Sequence, residues 1–234
     1  DHTLNSFLES RPNQTIIIDI NGGFEEKDAK LFRSFAEKFT NFKVVFNYYD
    51  KEKLQLVKDW QVPFFFSNHV STIDEVVGLM QYGPTDMYIC EELGFRLAEV
   101  STLLHDNHIK VRVYPNICQS SFAGTPSLKT FFIRPEDIKV YSAFVDVFEL
   151  IATEDTQDII YSVYKRGKWF GKIKEIIPSF KHDLDSKFLI VNFGEFRCNC
   201  KKRCMYNPHS CTICDRCADL SETLEEHQLF VKNH

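Results

Sequence analysis

The sequence lacks several features that would indicate a function directly. No apolar run approaches the roughly 20 residues that a membrane-spanning helix requires, so no membrane partner is expected. Acidic residues exceed basic ones, at 33 Asp and Glu against 28 Lys and Arg, which gives a net charge of −5. Because phosphate neutralisation needs a dense basic surface, non-specific nucleic-acid binding is not expected either. The chain also contains no P-loop, no G-x-S-x-G elbow and no H-E-x-x-H zinc motif.

Cysteine is scarce in the body of the chain. Of the eight cysteines, only Cys90 and Cys118 precede a group of six between Cys198 and Cys217. Two isolated thiols within apolar segments are typical of a reducing compartment, since oxidised proteins seldom leave such residues unpaired. We therefore predict an intracellular protein of the cytoplasm.

Short apolar runs recur along the chain and predict β-strands. Several are almost continuously hydrophobic, which is typical of strands that are buried on both faces of a parallel sheet. The eight runs are Thr15–Ile20, Lys43–Tyr48, Pro63–Ser67, Asp86–Cys90, Lys110–Tyr114, Thr130–Ile133, Val145–Leu150 and Phe188–Phe193.

The segments between these runs have the periodicity of amphipathic helices. They are Lys27–Phe39, Thr72–Tyr82, Leu97–Leu104, Glu136–Phe144 and Asp155–Ile177. Either Ser71 or Thr72 can cap the second helix, and Glu75, three residues after Thr72, fits a capping box there. Gly167 and Gly171 are expected to interrupt the last one.

Alternating strands and helices predict βαβ units. Eight units favour a closed (β/α)8 TIM-type barrel over residues 1–196, and an open doubly wound sheet is the alternative. A small cysteine-rich metal knuckle would follow at residues 197–220, and then a tail or helix at residues 221–234.

Polar side chains follow the predicted strands. In a barrel the carboxyl ends of the strands converge on one mouth, where active sites occur. The candidate catalytic residues there are Asp19, Glu91, Arg134, Glu136 and Glu149. Crowded carboxylates raise one another's pKa or gather a cation, and Arg134 would hold an anionic group. The same residues also fit a structural role, as helix caps and neutralising partners, and the sequence leaves both interpretations open.

The terminal cysteines have metal-ligand spacing. Cys200 and Cys204 form one close pair and Cys211 and Cys214 form another, joined by a short turn-forming linker. Two such pairs predict a tetrahedral thiolate site for zinc. The additional Cys198 and Cys217 keep a 4Fe–4S cluster open as an alternative, and disulfides are a third possibility.

Three segments resemble the barrel of the peptidase U32 family. They are Tyr88–Gly94 (YICEELG), Lys110–Asn116 (KVRVYPN) and Phe131–Ile138 (FFIRPEDI). The resemblance implies a TIM barrel and either collagenase-like peptidase activity or tRNA or quinone hydroxylation, in some members with a cysteine-bound 4Fe–4S cluster. The chain is also similar to proteins of tailed phages that end in a cysteine-rich tail. That likeness implies a virion-associated or accessory role, other phage proteins as partners, and a location in the host cytoplasm or virion.

Three functional hypotheses follow. The first is a U32-like metal-binding barrel whose acidic pocket binds a polar small ligand. The second is a non-enzymatic interaction protein that uses the cysteine knuckle to dock a protein partner. The third is an iron–sulfur-dependent enzyme of the hydroxylating type.

Overall fold

Parallel β-strands and α-helices are the regular elements of the described part of the protein. A computed structural model describes residues 2–20, 25–46, 55, 59, 62–66, 70, 72–89, 93, 96–116 and 133–177. The predicted knuckle and tail, residues 197–220 and 221–234, lie outside these ranges.

Six strands form the sheet of the described residues, in the order β1-β2-β3-β4-β5-β6. They are β1 (Ile16–Ile20), β2 (Phe42–Phe46), β3 (Phe64–Phe66), β4 (Asp86–Tyr88), β5 (Lys110–Val113) and β6 (Val147–Phe148). Each pairing from β1 to β5 is parallel. Five of the predicted apolar runs therefore form parallel strands, and a sixth run contains β6.

Seven α-helices lie in the described residues: α1 (His2–Glu9), α2 (Glu26–Ala36), α3 (Ile73–Met80), α4 (Leu97–Asp106), α5 (Ile138–Tyr141), α6 (Gln157–Arg166) and α7 (Ile173–Ile176). The capping box predicted at α3 is confirmed, since Thr72 and Glu75 each accept a hydrogen bond from the other's backbone N–H. Gly167 ends α6 in the left-handed conformation, at φ +67°.

The chain divides into two compact units. Unit 1 comprises Asp1–Ile89 and Leu103–Arg112, and unit 2 comprises Cys90–Thr102 and Val113–His234.

The two faces of the sheet in unit 1 differ in chemistry, because successive side chains of a strand point to opposite faces. One face carries Phe42, Phe46, Phe64 and Phe66, and Phe35 of α2 packs edge-on against Phe42 at 6.3 Å between ring centroids. The opposite face is more polar: Ile17 is 42% exposed there, and charged residues of β2, β4 and β5 lie on it.

The prediction of a closed eight-stranded barrel is wrong. The sheet has six strands, and β1 and β6 are the two ends of its order in the described part of the chain. The order is also sequential, so it lacks the switch point of a doubly wound sheet. Consecutive strands pair in parallel as they would in a barrel. The strands were therefore predicted correctly at the local level, although the predicted closure of the sheet was wrong.

Of the sixth predicted strand, residues 130–132 lie outside the described residues and only the last, Ile133, is described. Ile133 is fully buried and its N–H donates to the Pro115 carbonyl, but the residue is not in a strand. Arg134 and a 3-10 turn at Pro135–Asp137 follow directly, because proline has no N–H to continue a ladder. The eighth predicted run, Phe188–Phe193, lies outside the described residues.

Candidate functional site

A buried ion cluster lies on the polar face of the sheet in unit 1. Asp86, the first residue of β4, is 0% exposed. Its Oδ1 accepts a hydrogen bond from Arg112 Nε at 3.1 Å, and its Oδ2 pairs with Lys43 Nζ. Thr85 Oγ1 also lies 2.6 Å from Oδ2. The Arg112 guanidinium lies over the Phe65 ring, 4.3 Å from its centroid, and so combines an ion pair with a cation–π contact.

The net pKa of Asp86 is lowered. Burial alone would raise this pKa, but the hydrogen bonds from Lys43 and Thr85 and the charges of Lys43 and Arg112 outweigh burial. Asp86 is therefore a carboxylate that stabilises two cations. A fully buried carboxylate whose two oxygens are engaged by two cations and a hydroxyl fits a structural role.

Of the predicted catalytic residues Asp19 and Glu91, only Asp19 lies within the described structure. Asp19 is exposed on β1 in unit 1, in register with Val45 of β2. Glu91 lies outside the described residues.

Arg134 and Glu136 share a turn in unit 2. Arg134 is 5% exposed and its Nε donates to Asp137 Oδ2 at 3.1 Å. Burial lowers the pKa of Arg134, while the negative charge of Glu136 opposes that shift. Tyr164 of α6 donates its hydroxyl to the Ile133 carbonyl at 2.9 Å, and burial raises its pKa, with a further contribution from the charge of Glu136.

Glu149 makes a separate contact in unit 2. It accepts a hydrogen bond from the Tyr114 hydroxyl at 3.0 Å.

Asn116 is 1% exposed and links three backbone groups. Its Nδ2 donates to the carbonyls of Ile151 and Ile176, at 2.6 and 3.2 Å, and its Oδ1 accepts from the Ile151 N–H at 2.9 Å. Its contacts are those of a residue that ties loops together.

A pocket that the sequence did not predict lies after α6 in unit 2. Its volume is about 590 Å³, and it is lined by Arg166, Lys168, Trp169, Phe170 and Gly171. Cavities that bind small ligands typically measure about 300 to 1,000 Å³. We refer to this site as the cationic–aromatic pocket.

Local contacts hold the backbone of the pocket in place. The Trp169 N–H donates to Glu136 Oε1 at 3.1 Å, so a predicted catalytic carboxylate fixes the pocket loop. The Trp169 indole Nε1 donates to the Lys172 carbonyl at 3.0 Å. Gly171 lies under this ring, where a Cβ would come 2.2 Å from the indole Cζ2 atom. Only glycine leaves room for the ring in that position.

The pocket segment is strongly basic. Residues 165–175 contain one acidic residue, Glu175, whose Oε2 accepts from the Lys172 N–H at 3.2 Å, and five basic ones: Lys165, Arg166, Lys168, Lys172 and Lys174. No described carboxylate pairs with Arg166 or Lys168, and among the described contacts the Arg166 side chain donates its Nε to the Ser162 carbonyl at 3.2 Å. Phe170 is 73% exposed beside these cations. An anionic ligand with an apolar part would complement both features.

The sequence did carry signals for both clusters. Lys43, Asp86 and Arg112 interrupt otherwise apolar strands, which is how a buried ion pair appears in sequence. The run KRGKWFGKIK from Lys165 to Lys174 interleaves basic and aromatic residues, a composition typical of anion-binding surfaces. The periodicity of the same stretch had predicted only a helix interrupted by Gly167 and Gly171.

The predicted metal ligands Cys200, Cys204, Cys211 and Cys214 lie outside the described residues, as do the other four cysteines. Within the ranges that the structure describes, no group of three or more His, Cys, Asp or Glu side chains is arranged to hold a metal ion.

Comparison with known proteins gives no family. No protein-family model matches the chain, and no curated protein matches it significantly. The resemblance to the peptidase U32 family therefore stays a prediction. In the described part of the chain, none of the helices is both long enough and apolar enough to cross a membrane.

Proposed function

We propose that this protein binds an anionic ligand in the cationic–aromatic pocket of unit 2. The observation that carries the proposal is that Arg166 and Lys168 line a cavity of about 590 Å³ without a described carboxylate partner. Cations that are left unneutralised around a concave surface focus a positive potential and attract anions. The chain as a whole carries a net charge of −5, so this local excess of positive charge contrasts with the rest of the molecule.

Contacts within the chain hold part of the pocket in place. Glu136 and Gly171 fix the loop and the Trp169 ring before any ligand arrives. A preformed site avoids part of the entropy cost of ordering a loop on binding. Catalysis by Asp19, Glu91, Arg134, Glu136 and Glu149 stays a prediction, and so does a protein partner, phage-encoded or not.

Calorimetric titration of the full chain with inorganic pyrophosphate tests the proposal. We expect binding that weakens as sodium chloride is added, because salt screens exposed charges. Replacing both Arg166 and Lys168 with Gln should weaken binding at least tenfold. A matched control replaces two exposed lysines outside the pocket, Lys38 and Lys139, with Gln, and it should bind like the wild type. Absence of binding at low salt, or equal loss in both variants, would refute the proposal.

A second proposal concerns the terminal cysteines. We propose that Cys200, Cys204, Cys211 and Cys214 bind zinc, supported by two close pairs on either side of a short linker. Elemental analysis should find about one zinc per chain, and replacing Cys204 and Cys211 with Ser should remove it. Brown protein that contains iron and absorbs near about 400 nm would instead indicate a 4Fe–4S cluster and the redox class of function.

An intracellular location belongs to the same proposal, because thiolate ligands persist in a reducing compartment. Trapping of free thiols in whole cells should label Cys90 and Cys118 as reduced. Finding them in disulfides would contradict this location.

A further inference from the structure

The pocket has an exposed aromatic surface that an inorganic anion would not contact. Phe170 is 73% exposed, and it is next in sequence to the indole that lines the same cavity. Covering exposed apolar surface with a ligand removes that surface from water, which favours binding. An inorganic anion would engage Arg166 and Lys168 and would leave the Phe170 ring in water.

The neighbouring indole is held by the chain itself. Trp169 is tied through its backbone N–H to Glu136 and through Nε1 to the Lys172 carbonyl, at 3.1 and 3.0 Å. Its ring packs over Gly171, where no Cβ fits. The ring therefore acts as a fixed wall, and the adjacent exposed phenyl ring is the surface that a planar group would cover.

Resting on the anion site proposed above, we infer that the ligand is a nucleoside phosphate. Its base stacks on Phe170, and its phosphate groups bind Arg166 and Lys168. Bases stack on aromatic side chains with little dependence on sequence, because every base has a π-face. A pocket of about 590 Å³ is of the size that single small-molecule ligands occupy.

An anionic membrane is the other partner that combines aromatic and basic residues. The pocket favours the nucleoside phosphate, because it is concave and because its indole is bonded within the chain. A membrane-binding segment would instead present its rings on one apolar face directed to the lipid.

The test compares ligands that share phosphate but differ in the base. Calorimetry of the full chain measures ADP against inorganic pyrophosphate, at one salt concentration. We expect ADP to bind at least fivefold more tightly, because stacking adds to the phosphate contacts. Phe170→Leu keeps an apolar side chain but removes the ring, and it should lower the ADP affinity to that of pyrophosphate. Tyr161→Leu, at an aromatic residue that is 58% exposed outside the pocket lining, should keep the preference.

The outcomes separate the two proposals. Equal affinities for ADP and pyrophosphate, unchanged by Phe170→Leu, would overturn the nucleoside inference and leave the anion site standing. If neither compound binds, both proposals fail. A single-stranded oligonucleotide of about ten nucleotides is titrated in the same assay. Its affinity relative to ADP shows whether the site prefers a nucleic-acid strand or a free nucleotide, and preference for either would support stacking of a base on Phe170. Binding to vesicles with about 30% anionic lipid, in preference to ADP, would overturn the inference in favour of a membrane.

Discussion

Replacing Asp86 with Asn should strongly destabilise unit 1, because it removes the buried carboxylate that Lys43 and Arg112 share. The Asp86 carboxylate pairs with both Lys43 and Arg112 and is 0% exposed. Breaking a buried ion pair by removing one partner costs about 3–5 kcal/mol. The Lys43 side chain is 20% exposed, so water can solvate its charge in the variant, whereas the Arg112 side chain is only 7% exposed but keeps other contacts. We therefore expect a loss in the lower part of that range, about 3–4 kcal/mol.

Urea unfolding followed by far-ultraviolet circular dichroism measures this loss. With a slope of about 2–3 kcal/mol per molar urea, the midpoint should fall by roughly 1–2 M. Glu99→Gln is a matched control, since Glu99 also pairs with an arginine, Arg96, at 2.7 Å but on the surface. Exposed pairs contribute about 0–1 kcal/mol, so this variant should unfold close to the wild type. An Asp86→Asn midpoint within the error of the control would refute the account of the ion cluster.

The pH dependence has a definite sign. The pKa of Asp86 in the folded protein lies below its ordinary value of 3.8, so folding favours the ionised form. Its contribution to stability is therefore present above about pH 4 and is lost as the pH falls through the lowered pKa. The difference in unfolding free energy between wild type and Asp86→Asn should shrink as the pH drops below about 4. A difference that grows in acid would contradict this assignment.

Three further variants test local contacts by the same unfolding measurement. Asn116→Ala should cost about 2–4 kcal/mol, because it leaves backbone groups of Ile151 and Ile176 without their side-chain partner; a loss under about 0.5 kcal/mol would contradict this role. Thr72→Ala should cost about 1 kcal/mol through the lost helix cap, and an unchanged midpoint would argue against the capping box. Gly167→Ala should cost about 1–2 kcal/mol at its positive φ of +67°, whereas Gly78→Ala, within α3 and with open space around it, should be neutral or stabilising.

Local structure was largely predictable from the sequence. The strand at Ile16–Ile20 lies within the predicted run, and the helix cap at Thr72 is one of the two residues predicted for it. These features depend on side chains that are close in sequence, so a pattern of a few residues is enough to specify them.

Closure of the sheet was not predictable in the same way. A buried apolar run has the same composition whether or not its backbone pairs with a neighbouring strand. Ile133 is an example, since it is fully buried and hydrogen-bonded but lies just before a proline turn. An apolar run therefore does not by itself specify a strand of a closed sheet.

The ion cluster and the pocket were not predicted, because the residues that form each of them are far apart in sequence. Lys43 and Arg112 lie 43 and 26 residues from Asp86, and only the register of parallel strands brings them together. The pocket depends on Glu136, 33 residues before Trp169. Glu136 was predicted as a catalytic acid, and its described contact is with the backbone of the pocket loop.

Chemical footprinting of lysines tests the pocket most directly. Full-length protein is acetylated with and without saturating ADP, and the modification of each lysine is read by mass spectrometry. Bound ligand should protect Lys168, and it should leave the exposed Lys139 at its original rate. Equal modification of Lys168 in both samples, at an ADP concentration shown to saturate binding, would place the ligand elsewhere and contradict the account.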